Sequence, residues 1–223
     1  MNRVGILCAT PRELQPFLPE LRDRQVEEYA MHAFHTGSME GLPVVAVCSG
    51  CGKINAAVTA QALIDRWQTD AVIFSGIAGG MTEETCIFNT VVCTASSFHD
   101  TNNDIYTDFP VMPEPVFYAD ERLLAIARSA AARMTHPVHY GPATTGDIFT
   151  GHYPADALCI DMETAAAAHA CYLNRVPFIA IRSISDNRED GGQEAINRNY
   201  DQAARMSACF TREMLREIKK QAL

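Results

Sequence analysis

The sequence predicts a single α/β domain built on a buried β-sheet, and three features predict it. Short apolar runs of strand length alternate with segments whose apolar residues recur at helical spacing. Of the 223 residues, 48% are hydrophobic, which suits one sizeable core; two domains would each be small. Leu158–Asp161, the helix-like Ala165–Leu173 and Pro177–Ile184 form a strand–helix–strand unit, with Glu163 and Asp186 placed where its buried strands leave the core. In an open α/β sheet that edge is where ligands bind.

Val4–Ala9 is a buried first strand, and Thr10-Pro11 can cap and open a helix with Pro11 at its first position. Glu13 then falls in the first helical turn; a lone Glu there is most often a surface residue that offsets the helix dipole. Met31–Thr36 and Pro43–Cys48 read as strands joined by the turn-rich Gly37–Gly41, a hairpin. After Ser49-Gly50-Cys51-Gly52-Lys53, the spacing of Ile54, Ala57, Val58 and Ala62 predicts a helix to about Trp67. The Gly-x-Gly-Lys is no phosphate loop: Val47 stands where the first Gly belongs, and Ile54 replaces Ser/Thr after the Lys. A strand-to-helix turn with close backbone approach fits it better.

Ala71–Ser75 is another buried strand, and Gly76-Ile77-Ala78-Gly79-Gly80 after it reads as a tight turn or as a place where a flat ligand meets backbone. It is not the dinucleotide fingerprint. Thr90–Ala95 is the next strand, followed by a long polar loop from His99 to Pro115, in which His99 and Asp100 could pair as acid and base, although a loop His that orders its own turn is the commoner case. Asp120 can cap a helix with the stripe Leu123, Leu124, Ala127, Ala130, Ala131 and Met134. Val138–Thr144 is a strand, Gly146–Gly151 a glycine-flanked loop, and 187–192 a polar loop able to act as a lid. The last helix starts near Ala195, with Ala203, Met206, Phe210, Met214 and Ile218 inward and a mixed-charge face expected in solvent.

Net charge is −9 with no Lys/Arg-rich run, so a nucleic-acid backbone is not an expected partner. No apolar stretch reaches the ~20 residues that span a bilayer, so no membrane is expected either. Thr10-Pro11-Arg12-Glu13 cuts the opening apolar run short, which speaks against a secretion signal. The eight cysteines are scattered in apolar runs and read as reduced core thiols; Cys48 and Cys51 lack the second pair that a zinc or redox site needs. A cytoplasmic location follows.

Glu13, Glu163 and Asp186 are expected at one edge of the sheet. No His/Cys cluster at ligand spacing accompanies them, so neither metal nor cofactor is expected. No Gly-x-Ser-x-Gly suggests a serine hydrolase. Carboxylates without metal suit glycosidic cleavage: one protonates the leaving group, one activates water, and a third can accept from sugar hydroxyls. The residue types leave open whether the leaving group is an alcohol or a base.

Cys159-Ile160-Asp161-Met162-Glu163, Arg182-Ser183-Ile184-Ser185-Asp186, Ser49–Lys53 and Gly76–Gly80 stand in the order and spacing of the nucleoside phosphorylase/hydrolase family, which the chain resembles over nearly its whole length. Within it the likeness is greatest to the 5′-methylthioadenosine/S-adenosylhomocysteine nucleosidases. The resemblance implies three α/β/α layers around a mixed sheet, one domain over 1–223, and a homodimer. It makes Asp186 the acid at purine N7, Glu13 with Arg182 the activator of water, and Glu163 the holder of the ribose hydroxyls above Met162. It stacks Phe149 on the base, with Ile148, Ile77, Ala78 and Gly79 beside it. Ser185 would orient Asp186, Cys51 would flank the 5′-substituent, and Tyr106 would come from the second subunit. Asp161, Ile77, Asn103 and Ile196 depart from the family pattern and leave the identity of the 5′-group open. A futalosine-type nucleosidase, a phosphorylase and a nucleoside-binding module are the alternatives, in falling order.

Overall fold

The computed structural model describes residues 3–101, 115–148, 153–187 and 192–221. Its strands are β1 (Val4–Cys8), β2 (Arg22–Tyr29), β3 (His32–Met39), β4 (Leu42–Cys48), β5 (Ala71–Gly80), β6 (Thr90–Phe98), β7 (Val116–Tyr118), β8 (Val138–Thr145), β9 (Cys159–Asp161) and β10 (Phe178–Asn187). Its helices are α1 (Pro11–Leu14), α2 (Lys53–Asp65), α3 (Glu121–Ala131), α4 (Thr164–Asn174) and α5 (Gln193–Gln221). The strands bond in the order β10-β6-β8-β9-β5-β1-β4-β3-β2, and β10 returns to pair with β5. One end of the mixed sheet therefore closes into a circuit of β5, β10, β6, β8 and β9, while the other runs out to an open edge at β2.

The expected three layers form because the central strands are apolar on both faces. Along β1, Leu7 packs to one side, while Val4, Ile6 and Cys8 pack to the other. In β5, Val72 and Phe74 oppose Ala71 and Ile73 in the same way, the period of two that a strand imposes. Ala60 and Leu63 of α2 and the Ala165–Ala168 run of α4 cover the first face. Leu123 and Ala127 of α3 and Phe210 and Met214 of α5 cover the second. Among the described residues no helix is long and apolar enough to cross a membrane.

Five readings need correction. The turn read at Gly76–Gly80 is strand: β5 continues through it, paired with β10 as far as Asn187. The Gly37–Gly41 turn is shorter, because β3 runs on to Met39 and only Glu40 and Gly41 turn, both with positive φ, 50° and 77°. That is the backbone a two-residue hairpin needs. Strand β2 was not expected at all. It is exposed throughout and carries no apolar alternation, only the charges that keep a sheet edge from pairing further. The charged face of α5 is not simply solvated: Glu213 is buried, and Arg212 (3.0 Å) and Arg216 (2.9 Å) grip Glu40 at the β3–β4 turn. All eight cysteines are free, but Cys51, Cys86 and Cys209 are exposed rather than core.

Candidate active site

Glu13 is where local sequence and tertiary structure meet. Thr10 caps α1 and Pro11 opens it, and Glu13 at the third helical position completes a capping box. That box turns the carboxylate inward, only 2% exposed. Its Oε2 accepts from the backbone N–H groups of Ala9 (2.9 Å) and Thr10 (2.8 Å), and its Oε1 from that of Ile77 (2.8 Å). The surface Glu usual at such a position is thus not found here. Burial pushes its pKa up, while Arg182 and these N–H donors pull it down.

Arg182, in the middle of β10, is fully buried over the face of Phe74, 4.1 Å from the ring centroid. Its Nη2 lies 2.8 Å from Asp161 and 3.7 Å from Glu163, and its Nη1 3.9 Å from Glu13. One guanidinium therefore sits among three buried carboxylates. Its Nε donates to Thr164 Oγ1 at 3.0 Å and its Nη1 to the Ile77 carbonyl at 3.3 Å. Gly76 makes the room: a Cβ there would lie 2.4 Å from both Arg182 Nη1 and Glu13 Oε1. The glycine at this point of β5 serves a close approach, not a turn.

Strand β9 leads straight into α4, which sets Asp161 and Glu163 within two residues of each other. Asp161 Oδ1 accepts from Thr145 Oγ1 and from the N–H groups of Glu163 and Thr164, so it is held to orient Arg182. Glu163 Oε1 accepts from Gly52 N–H at 2.8 Å. The Gly50–Gly52 turn, with φ of 81° and 95° at its glycines, brings that donor in, as close backbone approach there requires. Burial pushes Glu163 up to about 7, with Asp161 adding to the rise and Arg182 opposing it.

Asp186 lies past a register shift in β10, where the strand end is half-buried. Ser185 Oγ donates to its Oδ1 at 2.6 Å, and Asn199 of α5 fixes the Ser185 carbonyl at 2.8 Å. Oδ2 faces Gly79, where a Cβ would stand 3.3 Å away. Burial raises the Asp186 pKa against the opposing Ser185 bond.

Glu13, Glu163 and Asp186 line one cavity of about 650 Å³, together with Cys51, Ile77, Ala78, Gly79, Met162 and Ser185. Arg182 stands behind its wall. Ile148 also does not line this cavity: it is exposed, and its carbonyl meets His99 at 2.8 Å. His99 therefore orders the neighbouring turn, and Asp100 pairs with Lys53 at 2.8 Å rather than with His99 as acid and base. Phe149, Tyr106, Asn103 and most of the 187–192 loop lie outside the described residues. Sequence reasoning missed Asp161 and Tyr200 as site residues. Tyr200 was findable one helical turn after Ile196, on the same face of α5; Asp161 stood two residues before Glu163. A separate groove of about 710 Å³, between α1 and α5, contains none of the three carboxylates.

The model of the phosphorylase superfamily matches residues 3–218. The chain belongs to the phosphorylase superfamily. Within it, a 5′-methylthioadenosine/S-adenosylhomocysteine nucleosidase of Maridesulfovibrio salexigens is 32% identical over 97% of this chain and 100% of its own length. The crystal structure of such a nucleosidase from Colwellia psychrerythraea, in complex with adenine, superposes with a TM-score of 0.89 at 29% identity, covering 96% of this chain and 95% of that one. Futalosine hydrolase of Helicobacter pylori reaches 0.87 at 26% identity, covering 97% and 98%. Both nucleosidase types considered above are thus among the proteins this chain is similar to.

Proposed function

We propose that this chain hydrolyses the N-glycosidic bond of 5′-methylthioadenosine and S-adenosylhomocysteine, releasing adenine. One observation carries the reading: Asp186, lifted by burial, and Glu13 line the same nucleoside-sized cavity with Glu163. A purine leaves poorly as an anion and far better once protonated at N7. Asp186 supplies that proton from Oδ2, since Ser185 occupies Oδ1. The lack of a side chain at Gly79 leaves room for a flat base beside it. Glu13 Oε2 is already engaged by two N–H donors, so Oε1, between Ile77 N–H and Arg182, is the oxygen that takes the water proton. Glu163, steadied by Gly52, accepts from the ribose 2′- and 3′-hydroxyls.

The charge count favours water over phosphate as nucleophile. Among the described residues the one buried cation, Arg182, faces three carboxylates, and an incoming phosphate would meet net negative charge. Adenine is therefore expected from methylthioadenosine in phosphate-free buffer, with no rate gain on adding phosphate; a strict phosphate requirement would refute hydrolysis. The futalosine-type reading rests on the second structural likeness and is decided by comparing rates on the two nucleosides.

The chain works as a homodimer in the cytoplasm. Exposed Ile54 and Val58 on α2, with Tyr172 and Leu173 on α4, give two packed helices an outward apolar face. The eight free thiols suit a reducing compartment. Sedimentation is expected to give twice the chain mass; a monomer at micromolar concentration would refute the pairing.

A further inference from the structure

Tyr200 is buried to 9% exposure, yet it lines the cavity, and the mechanism above does not use it. It is held on two sides. Arg12, anchored to Asp201 at 2.7 Å, stacks over its ring at 4.1 Å from the centroid. Its hydroxyl lies 2.5 Å from Thr10 Oγ1. Thr10 Oγ1 in turn stands 3.3 Å from Glu13 Oε2, a carboxylate oxygen that can only accept. The Thr10 proton is therefore drawn to Glu13. The phenol is also far more acidic than the aliphatic alcohol, so in the short bond between them Tyr200 donates and Thr10 accepts. With its only proton spent on Thr10, the Tyr200 oxygen has lone pairs alone to offer the cavity. The same cavity is lined by Ile196, one turn earlier on α5, and by Cys51.

Taking the nucleosidase reading as given, the base lies against Asp186 and Gly79, the ribose diol on Glu163, and the water on Glu13. The 5′ arm is the substituent left over, and Thr10, Cys51, Ile196 and Tyr200 belong to the rest of the lining, with Met81, Tyr153 and Gln193. We propose that Tyr200 is a specificity-determining residue, an oriented acceptor that selects nucleosides whose 5′ arm carries a hydrogen-bond donor, hydroxyl or ammonium, over those with a purely apolar arm. A clamped acceptor that finds no donor stays buried without a partner, so the apolar arm is penalised.

The test uses three arms of similar shape on adenosine: 5′-(2-hydroxyethyl)thio, 5′-propylthio and 5′-(2-methoxyethyl)thio. The hydroxyl arm is expected to have a kcat/KM about tenfold above the propyl arm, the effect of roughly one neutral hydrogen bond. The methoxy arm, an acceptor without a proton, is expected to gain nothing over propyl. Tyr200→Phe is expected to bring the hydroxyl-to-propyl ratio within about twofold of unity, for the same reason. A wild-type ratio at or below one, a methoxy arm as good as the hydroxyl, or a ratio that survives in Tyr200→Phe would each overturn the assignment. The first two need no variant to fold. Failure of all three nucleosides to release adenine would instead sink the nucleosidase reading itself.

Discussion

Asp186→Asn is expected to release adenine about 10²–10⁴-fold more slowly than the wild-type protein, the range for loss of a positioned acid, while still binding free adenine. The amide keeps the shape and can still receive Ser185 Oγ–H on its oxygen, so the site stays formed. What it loses is an ionisable proton. Burial lifts the Asp186 pKa, so the wild-type side chain keeps its proton to higher pH than an exposed aspartic acid would. The rate must then fall as pH rises through that value. On the acid side Glu163, pushed up to about 7, becomes protonated as pH drops below neutrality and loses acceptor capacity for the ribose diol, so kcat/KM falls there as well. The wild-type profile is therefore a bell. In Asp186→Asn the alkaline limb should vanish and the acid limb remain. A pH–rate profile of the variant that keeps its alkaline limb would show that another group delivers the proton.

Much of this site is legible in the sequence because it lies where apolar runs stop. Thr10-Pro11-Arg12-Glu13 spells a helix start, and Ser185-Asp186 ends a buried strand; both could be placed with no knowledge of the rest of the fold. What stayed hidden depends on residues distant in sequence. Gly76 looked like a turn because glycine often is one, but its reason is the pair of side chains, Arg182 and Glu13, that fill its missing Cβ. Glu13 taken alone reads as a surface residue, because nothing local says that Ile77 will donate to it. Strand β2 has no apolar alternation to betray it, since an edge strand is secured by its backbone bonds to β3 rather than by burial. Tyr200 escaped because a stripe of apolar residues along α5 describes the packed face, not the few positions near its start that reach the cavity.

Arg182 is the position where substitution should cost the most stability. Arg182→Met keeps a long side chain against Phe74 but removes the cation that Glu13, Asp161 and Glu163 share. Removing one partner of a buried ion pair costs about 3–5 kcal/mol, and here three partners are stranded, so the upper part of that range is expected at neutral pH. The pH dependence identifies the cause. Glu163 already has a folded-state pKa of about 7 against roughly 4.3 unfolded, so its contribution to stability is full below the unfolded value and is lost as pH rises through the folded one. Without Arg182, which lowers the pKa of both Glu13 and Glu163, that loss deepens. Urea unfolding should accordingly show a larger deficit for Arg182→Met at pH 8 than at pH 5, where the carboxyls can take up protons and become neutral. Arg182→Lys should recover only part of it. A lysine ammonium is a compact charge without the planar fork that lets one guanidinium meet Asp161, Thr164 and the Ile77 carbonyl at once. Equal losses at both pH values, or full rescue by lysine, would mean that Arg182 acts through packing volume rather than as the shared counter-charge of the site.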